Sequence, residues 1–310
     1  IADALSAEVS ATPKTPKRKP SLEVTIRNLD DKLRSGEVIL TNAYFGDGLL
    51  PDAMRQPYHV PARSKQTISF PVTDNQVNLA ASYLITSHLK DDDGTLVTRT
   101  DDVSFRACPK TTSPITIDGD LDDWNVADLC PTPFERYHKS WGKPTRDDKD
   151  LSAVMYTRWD DGKLYFAAIV NDDIVVNRFN NCDIWQDDNI MLGLYPWGWR
   201  YGEPLNAGYY REHLGPCVDG KARVFRVGNV PGGPQTAENV EIAVKRAPDG
   251  RYIYEWAYPA ASLQPLPLRK GARFRLSLAA LDRDKDANGK LTPLGAVQLG
   301  GFNLNIDAQP

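Results

Sequence analysis

Short stretches in which apolar and polar residues alternate recur along this chain. Residues 22–27, 67–72 and 273–281 each place an apolar side chain at almost every second position. Successive side chains of a β-strand point to opposite faces, so this period of two is typical of half-buried strands. Only residues 122–129 and 260–263 are compatible with a helical turn. The sequence therefore predicts an all-β fold.

Turn-forming residues separate several of these strands. Asp93-Gly94 lies between two alternating stretches, and glycine at residues 162 and 250 ends two similar turns, 160–162 and 248–250. Asp and Gly tolerate the positive φ that tight hairpin turns need. These positions predict three β-hairpins, one in the first third of the chain and two in the remainder.

The length of 310 residues suggests two domains. Residues 1–20 are rich in Pro, Lys and Thr and are predicted to be a solvated linker. Residues 21–112 read as an immunoglobulin-like β-sandwich because their strands are short and regularly spaced. A Pro- and Thr-containing stretch at 108–114 marks the boundary, and residues 113–310 are predicted to form a second β-sandwich. The predicted architecture is two sandwiches in tandem.

Charge and cysteine spacing exclude several classes of function. A net charge of −4 and a pI near 5.7 argue against nucleic acid as a partner, and no apolar run is long enough to span a membrane. The four cysteines lack the spacing of a zinc or thioredoxin-like site. They are compatible with disulfides of an oxidising compartment or with buried free thiols, and the sequence leaves both open.

Four ordered segments of the second domain carry a family resemblance. They are Ile115–Trp124, Trp159–Asp172, Ile184–Leu192 and Gly250–Leu263. Together they resemble the family 9 carbohydrate-binding modules and the related DOMON-type sandwiches. The resemblance implies a non-catalytic, polysaccharide-binding accessory region of a bacterial enzyme. It also implies secretion, to the extracellular space or the periplasm, and a catalytic domain in the same longer polypeptide.

The resemblance also implies where sugar binds. Trp185 occupies the position of a tryptophan that stacks on sugar in the family, and an indole face suits the C–H face of a pyranose. Two departures weaken the match. Met191 stands where the best-known members carry a hydrogen-bonding glutamate, and residues 291–301 lack a second stacking tryptophan.

A second group of candidate binding residues follows Trp185. Trp197, Trp199 and Tyr201 crowd a stretch interrupted by Pro and Gly, which favours an exposed loop over a strand packed on both faces. Arg200 and Arg211 are suited to bidentate bonds with uronate or sulfate groups, although surface ion pairs are the alternative for both.

Calcium is the predicted cofactor. Asp284, Asp286 and Asn288 match the first half of a calcium loop, but Gly295 stands where the usual glutamate would be. A polar hairpin tip has the same composition. Asp118 and Asp120 lie in a second oxygen-rich stretch. We expect one structural calcium ion in the second domain.

No catalytic signature is present in the sequence. The nucleophile-elbow, zinc-protease, P-loop and dinucleotide-binding motifs are all missing, so the chain is predicted not to be an enzyme. Two alternatives to glycan binding stay open. One is a structural or adhesive spacer that packs on a catalytic domain, and the other is a DOMON-like haem module with Met191 and a histidine as axial ligands.

Overall fold

Nearly all regular structure in this protein is β-strand, as the alternation predicts. The computed structural model describes residues 4–43, 48–136, 147–196, 210–227, 235–263 and 267–307. Within these residues, no helix has the length and apolar character that crossing a bilayer requires. The chain divides into two units, Ile1–Arg106 and Ala107–Pro310, close to the boundary predicted at 112/113.

The first unit is an antiparallel β-sandwich. Its strands are β1 (Leu5–Thr12), β2 (Ser21–Asn28), β3 (Arg34–Asn42), β4 (Met54–Val60), β5 (Lys65–Pro71), β6 (Tyr83–Asp91) and β7 (Leu96–Val103), with one 3-10 turn at Asp74–Gln76. One sheet has the order β1-β2-β5 and the other β4-β3-β6-β7. The inward side chains of both sheets form one core. The predicted hairpin at Asp93-Gly94 joins β6 to β7, with Gly94 at a φ of +88°.

The predicted linker at residues 1–20 is wrong for its first half. Leu5–Thr12 forms strand β1, which pairs with β2 along its whole length. Leu5, Ala7 and Val9 are buried, so this stretch has the same period of two as the other strands. The Pro- and Lys-rich composition that suggested a linker is confined to residues 13–20.

The second unit contains two larger sheets. Its strands are β8 (Ala107–Pro109), β9 (Thr132–Pro133), β10 (Glu135–Arg136), β11 (Leu151–Trp159), β12 (Lys163–Asp172), β13 (Asn189–Pro196), β14 (Tyr210–Pro216), β15 (Ala222–Arg226), β16 (Gln235–Thr236), β17 (Glu241–Arg246), β18 (Tyr252–Pro259), β19 (Arg273–Asp282) and β20 (Gly295–Asp307). Its 3-10 segments are Val126–Asp128, Cys182–Gln186 and Ala260–Leu263. The eight-stranded sheet has the order β10-β20-β19-β13-β14-β15-β16, with β8 on β20, and the five-stranded sheet has the order β17-β18-β12-β11-β9.

A hydrogen bond to a buried carboxylate joins these two sheets, and aromatic rings pack within the five-stranded sheet. Phe166 stacks on Trp256 with ring centroids 5.2 Å apart. Glu212 of β14 is fully buried and accepts hydrogen bonds from Arg226, at 2.7 Å from Nε, and from the hydroxyl of Tyr258 on the opposite sheet. A buried carboxylate is tolerated only when its oxygens are paired in this way. The pairing therefore fixes how the sheets face each other.

The segment with the resemblance at Ile115–Trp124 covers the other face of the five-stranded sheet. Trp124 is fully buried, and its indole N–H donates to Glu255 at 2.6 Å. The same carboxylate accepts the backbone N–H groups of Asp118 and Gly119 at 3.0 and 2.9 Å. Gly119 has a φ of +79°, and a Cβ there would lie 2.6 Å from Lys245 Cβ, so glycine is required at this turn.

We expect Glu255→Ala to lower the free energy of unfolding by about 3 kcal/mol or more, because it leaves three donors, two of them buried, without an acceptor. Urea unfolding followed by tryptophan fluorescence measures this change. Glu241→Ala, which removes a half-exposed partner of Lys163, is the control and should cost less than about 1 kcal/mol. Equal effects of the two substitutions would contradict the role given to Glu255.

Candidate functional site

One face of the eight-stranded sheet points away from the core and is called here the outer face. On β13, Ile190, Leu192 and Leu194 are buried against the core. The intervening residues Met191 and Gly193 therefore point outward. The register places His213 of β14 and Ala279 of β19 beside Met191, and Arg211 and Ser277 beside Gly193.

The 3-10 segment Cys182–Gln186 lies on this outer face. Its Ile184 is buried in a small cluster with Phe225, an outward residue of β15. The side-chain amide of Asn189 donates to the carbonyl oxygens of Ile184 at 3.0 Å and Asp187 at 2.7 Å, which ties the segment to the start of β13. Trp185 is thereby carried on the outer side of the sheet.

Trp185 differs from the other tryptophans of the described residues. Trp124, Trp159 and Trp256 expose at most 3% of their surface, whereas Trp185 exposes 40%. A tryptophan that served the core would be covered like these three. The large free ring is therefore available to a ligand.

Two basic side chains of β14 lie on the outer face beside β13. Arg211 is exposed, whereas His213 is only 4% exposed and its Nδ1 has no hydrogen-bond partner within the described residues. Burial, aided by the positive charge of Arg211, lowers the pKa of His213 to about 4. The imidazole is consequently neutral at physiological pH, and Arg211 supplies the positive charge at this point of the face.

Hydroxyl groups gather over Gly193. A Cβ built on this glycine would lie only 2.6 Å from Ser277 Oγ and 2.9 Å from the hydroxyl oxygen of Tyr195. Any larger residue would push these side chains apart. Of the other predicted binding residues, Trp197, Trp199, Arg200 and Tyr201 lie outside the described residues, and strand β13 continues as far as Pro196.

A second feature is a group of carboxylates at the ends of three strands. Asp172 ends β12, Asp188 precedes β13 and Asp282 ends β19, and one oxygen of each lies within 4.8 Å of the others. Asp150, Asp173 and Asp284 form a similar set. We call the first three residues the inner acidic triad. Asp172 belongs to the five-stranded sheet and Asp282 to the eight-stranded sheet, so the inner acidic triad lies where strand ends of the two sheets meet.

The inner acidic triad has too few hydrogen-bond donors for its charge. Asp188 accepts the backbone N–H groups of Val176 and, at 2.6 Å, Arg283. Asp282 is only 5% exposed, yet its Oδ1 has no partner within the described residues. Burial, together with the charges of Asp284 and Asp172, raises the pKa of Asp282 to about 8. Burial likewise raises the pKa values of Asp172 and Asp188.

This triad has the chemistry of a hard-cation site. Calcium takes carboxylate oxygens at about 2.3–2.6 Å, so two ligand oxygens of one ion are separated by at most about 5 Å. The spacing of the three oxygens meets this condition. The unpartnered Oδ1 of Asp282 is an acceptor that an ion would satisfy.

The residues predicted to bind calcium are only partly brought together. Asp284 lies with Asp150 and Asp173. Asp286 instead caps a hairpin tip, accepting the backbone N–H of Asn288 at 2.9 Å, and belongs to neither acidic set.

The other predicted pair, Asp118 and Asp120, also lies outside both acidic sets. Asp118 accepts the backbone N–H of Asp120 at 2.9 Å, and Asp120 pairs with Lys245 at 3.3 Å. No local motif marks Asp172, Asp188 or Asp282 as ligands, although Asp172 and Asp188 lie within segments that carry the family resemblance.

The solved structures to which this chain is similar include two of carbohydrate-binding modules. A family 9 carbohydrate-binding module from Caldicellulosiruptor kristjanssonii in complex with cellotriose is 15% identical, with a TM-score of 0.43, over 66% of this chain and 95% of that one. A structure of a family 9 module from the same organism in complex with glucose is 16% identical, with a TM-score of 0.41, over 66% of this chain and 97% of that one. A protein from Bacteroides uniformis is 11% identical, with a TM-score of 0.44, over 65% and 98%.

These likenesses concern the fold. Because the identities are low and the TM-scores lie below 0.5, they carry no weight for what this chain binds. No protein-family model matches the chain, and no curated protein matches it.

In the presence of a chelator, we expect the free energy of unfolding to fall by roughly 2–5 kcal/mol as the pH rises from 5 to 8. The raised pKa of Asp282 means that the native state holds more protons than the unfolded state over this range, so raising the pH favours unfolding. Urea titrations at each pH measure the slope. Asp282→Asn should reduce the dependence of the free energy of unfolding on pH. Asp161→Asn, which alters an exposed residue, should leave this dependence unchanged.

Proposed function

We propose that this chain is a non-catalytic, polysaccharide-binding region and that glycan binds on the outer face of the second unit. The observation that carries the proposal is the exposed ring of Trp185, held on a polar sheet face while the other described tryptophans are buried. A flat aromatic ring beside hydrogen-bonding groups is the usual design of a sugar-binding surface.

The side chains of the outer face have complementary roles in this proposal. The indole stacks on the apolar face of a sugar ring, while Arg211, Ser277 and Tyr195 offer hydrogen bonds to its hydroxyl groups. The strands hold these side chains in fixed positions, which lowers the entropy lost on binding. Met191 does not contribute a hydrogen bond. It packs instead with Leu281 and Leu294 in a small apolar cluster of the same sheet.

A structural calcium ion at the inner acidic triad completes the proposal. Asp172, Asp188 and Asp282 would hold it, and the ion would balance charges that the chain itself leaves uncompensated. Asp188 follows Trp185 by three residues, and Asp187 between them is bound by Arg178 through Nε at 2.8 Å and Nη2 at 2.6 Å. The ion would therefore help to fix the segment that carries Trp185.

The context proposed for this region is a secreted polysaccharide-degrading enzyme of a bacterium, in which the catalytic domain belongs to the same longer polypeptide. The ordered segments that resemble family 9 modules support it. The immunoglobulin-like assignment of the first unit is part of the same proposal and is supported by its two antiparallel sheets. The alternative is a spacer that packs on a catalytic domain without binding sugar, which the apolar packing of Met191 favours.

We expect Trp185→Ala to weaken binding to a polysaccharide identified by a glycan array by about tenfold or more, because the stacking surface is lost. Affinity gel electrophoresis of the full chain measures the change. Val126→Ala, which shortens an exposed apolar side chain elsewhere, is the control. Failure of the unaltered chain to bind any glycan would favour the spacer alternative.

Calcium should raise the melting temperature by about 5–10 °C at a hundredfold excess over its Kd, since it binds only the native state. Chelation should reverse this change and also weaken glycan binding. Calorimetry with Asp282→Asn should show no calcium effect. Asp118→Asn and Asp286→Asn should keep it, and loss of the calcium effect in either of these two variants alone would place the ion elsewhere.

A further inference from the structure

The outer face has an unusual charge distribution. Its outward positions on β13, β14, β15 and β19 follow from the register and from the buried residues that alternate with them. They include four arginines, namely Arg211, Arg223, Arg273 and Arg275, and no aspartate or glutamate. The chain as a whole has more acidic than basic residues, 41 against 37. The outward positions of these four strands therefore carry a local excess of positive charge.

Arg211 is the arginine of this face that is best placed for a ligand. It is exposed, and within the described residues no carboxylate pairs with its side chain. Arg223, in contrast, is held by both oxygens of Asp219, at 2.8 and 2.6 Å. A guanidinium without a carboxylate partner can form two parallel hydrogen bonds with a planar anion.

Neutral donors lie beside Arg211. Its register partner on β13 is Gly193, over which the hydroxyls of Ser277 and Tyr195 converge. The buried imidazole of His213 is neutral at pH 7, so Arg211 is the charge that a ligand meets at this point. An arginine fork next to two hydroxyl donors is suited to a carboxylate or sulfate oxygen cluster.

We propose that the glycan recognised by the outer face is anionic, with a carboxylate or sulfate group bound by Arg211 while a neighbouring sugar ring stacks on Trp185. This inference rests on the proposed function, for which it names the ligand class. The negative net charge of the chain opposes general attraction of a polyanion. Binding of an anionic glycan would thus depend on this local face.

Matched pairs of polysaccharides test the inference with the full chain. Polygalacturonate is compared with its fully methyl-esterified form, and dextran sulfate is compared with dextran, by affinity gel electrophoresis and calorimetry. The first pair reports carboxylate recognition and the second reports sulfate recognition. We expect binding to the charged member of at least one pair and at least tenfold weaker binding to its neutral twin.

Two substitutions assign the effect to Arg211. Arg211→Ala should weaken binding of the charged glycan by about tenfold or more, and Arg211→Lys should recover only part of it because the fork is lost. Arg251→Ala, which removes an exposed arginine paired with Asp249 on the other sheet, is the control and should have no effect. Thermal melts verify that the variants are folded.

The outcomes separate this inference from the proposed function. Binding of neutral glycans that equals binding of charged ones overturns the anionic class and leaves glycan recognition standing. Binding of a polyanion that Arg211→Ala does not alter also overturns the inference. Failure to bind any glycan, charged or neutral, overturns both.

Discussion

Mutual repulsion of three clustered carboxylates, two of which are buried, is the constraint on which the second unit depends most. Asp172 comes from one sheet, and Asp188 and Asp282 come from the other, so their convergence sets how the strand ends meet. Charges this close in a poorly solvated place must be protonated or balanced by a cation. Because Asp188 lies so near Trp185 in the chain, the state of this triad also bears on the exposed ring that we assign to glycan binding.

Much of the fold could be predicted from local sequence. The Asp-Gly turns and the period of two are short-range signals, and the hairpins at Gly94 and Gly250 follow directly from them. The incorrect prediction of a linker over β1 arose because composition was given more weight than these short-range signals. The Pro- and Lys-rich composition of residues 13–20 was extended over a neighbouring stretch whose alternation predicts a strand. Composition averaged over a long segment concealed a pattern that single positions contain.

The candidate site was predictable only in part. Trp185 was identified because a single residue in a recognisable segment suffices to mark it, but its exposure required the structure. The inner acidic triad could not be read locally, since Asp172 and Asp282 are distant in sequence and meet only when the sheets close. Asp284 was predicted to bind calcium together with Asp286 and Asn288, whereas in the structure it lies with Asp150 and Asp173. The reason is that a calcium-loop pattern assumes that all ligands come from one short stretch.

The two sheets of the second unit differ in how freely their outward residues can be substituted. Trp124 and its segment pack on the outward side of the five-stranded sheet, where the indole of Trp124 is hydrogen-bonded to Glu255. On the outer face of the eight-stranded sheet, in contrast, the side chain of Arg211 is exposed. Exposed residues such as Arg211 can be exchanged in evolution or by design with little cost to the core, so one scaffold can acquire new ligands while its folding is preserved.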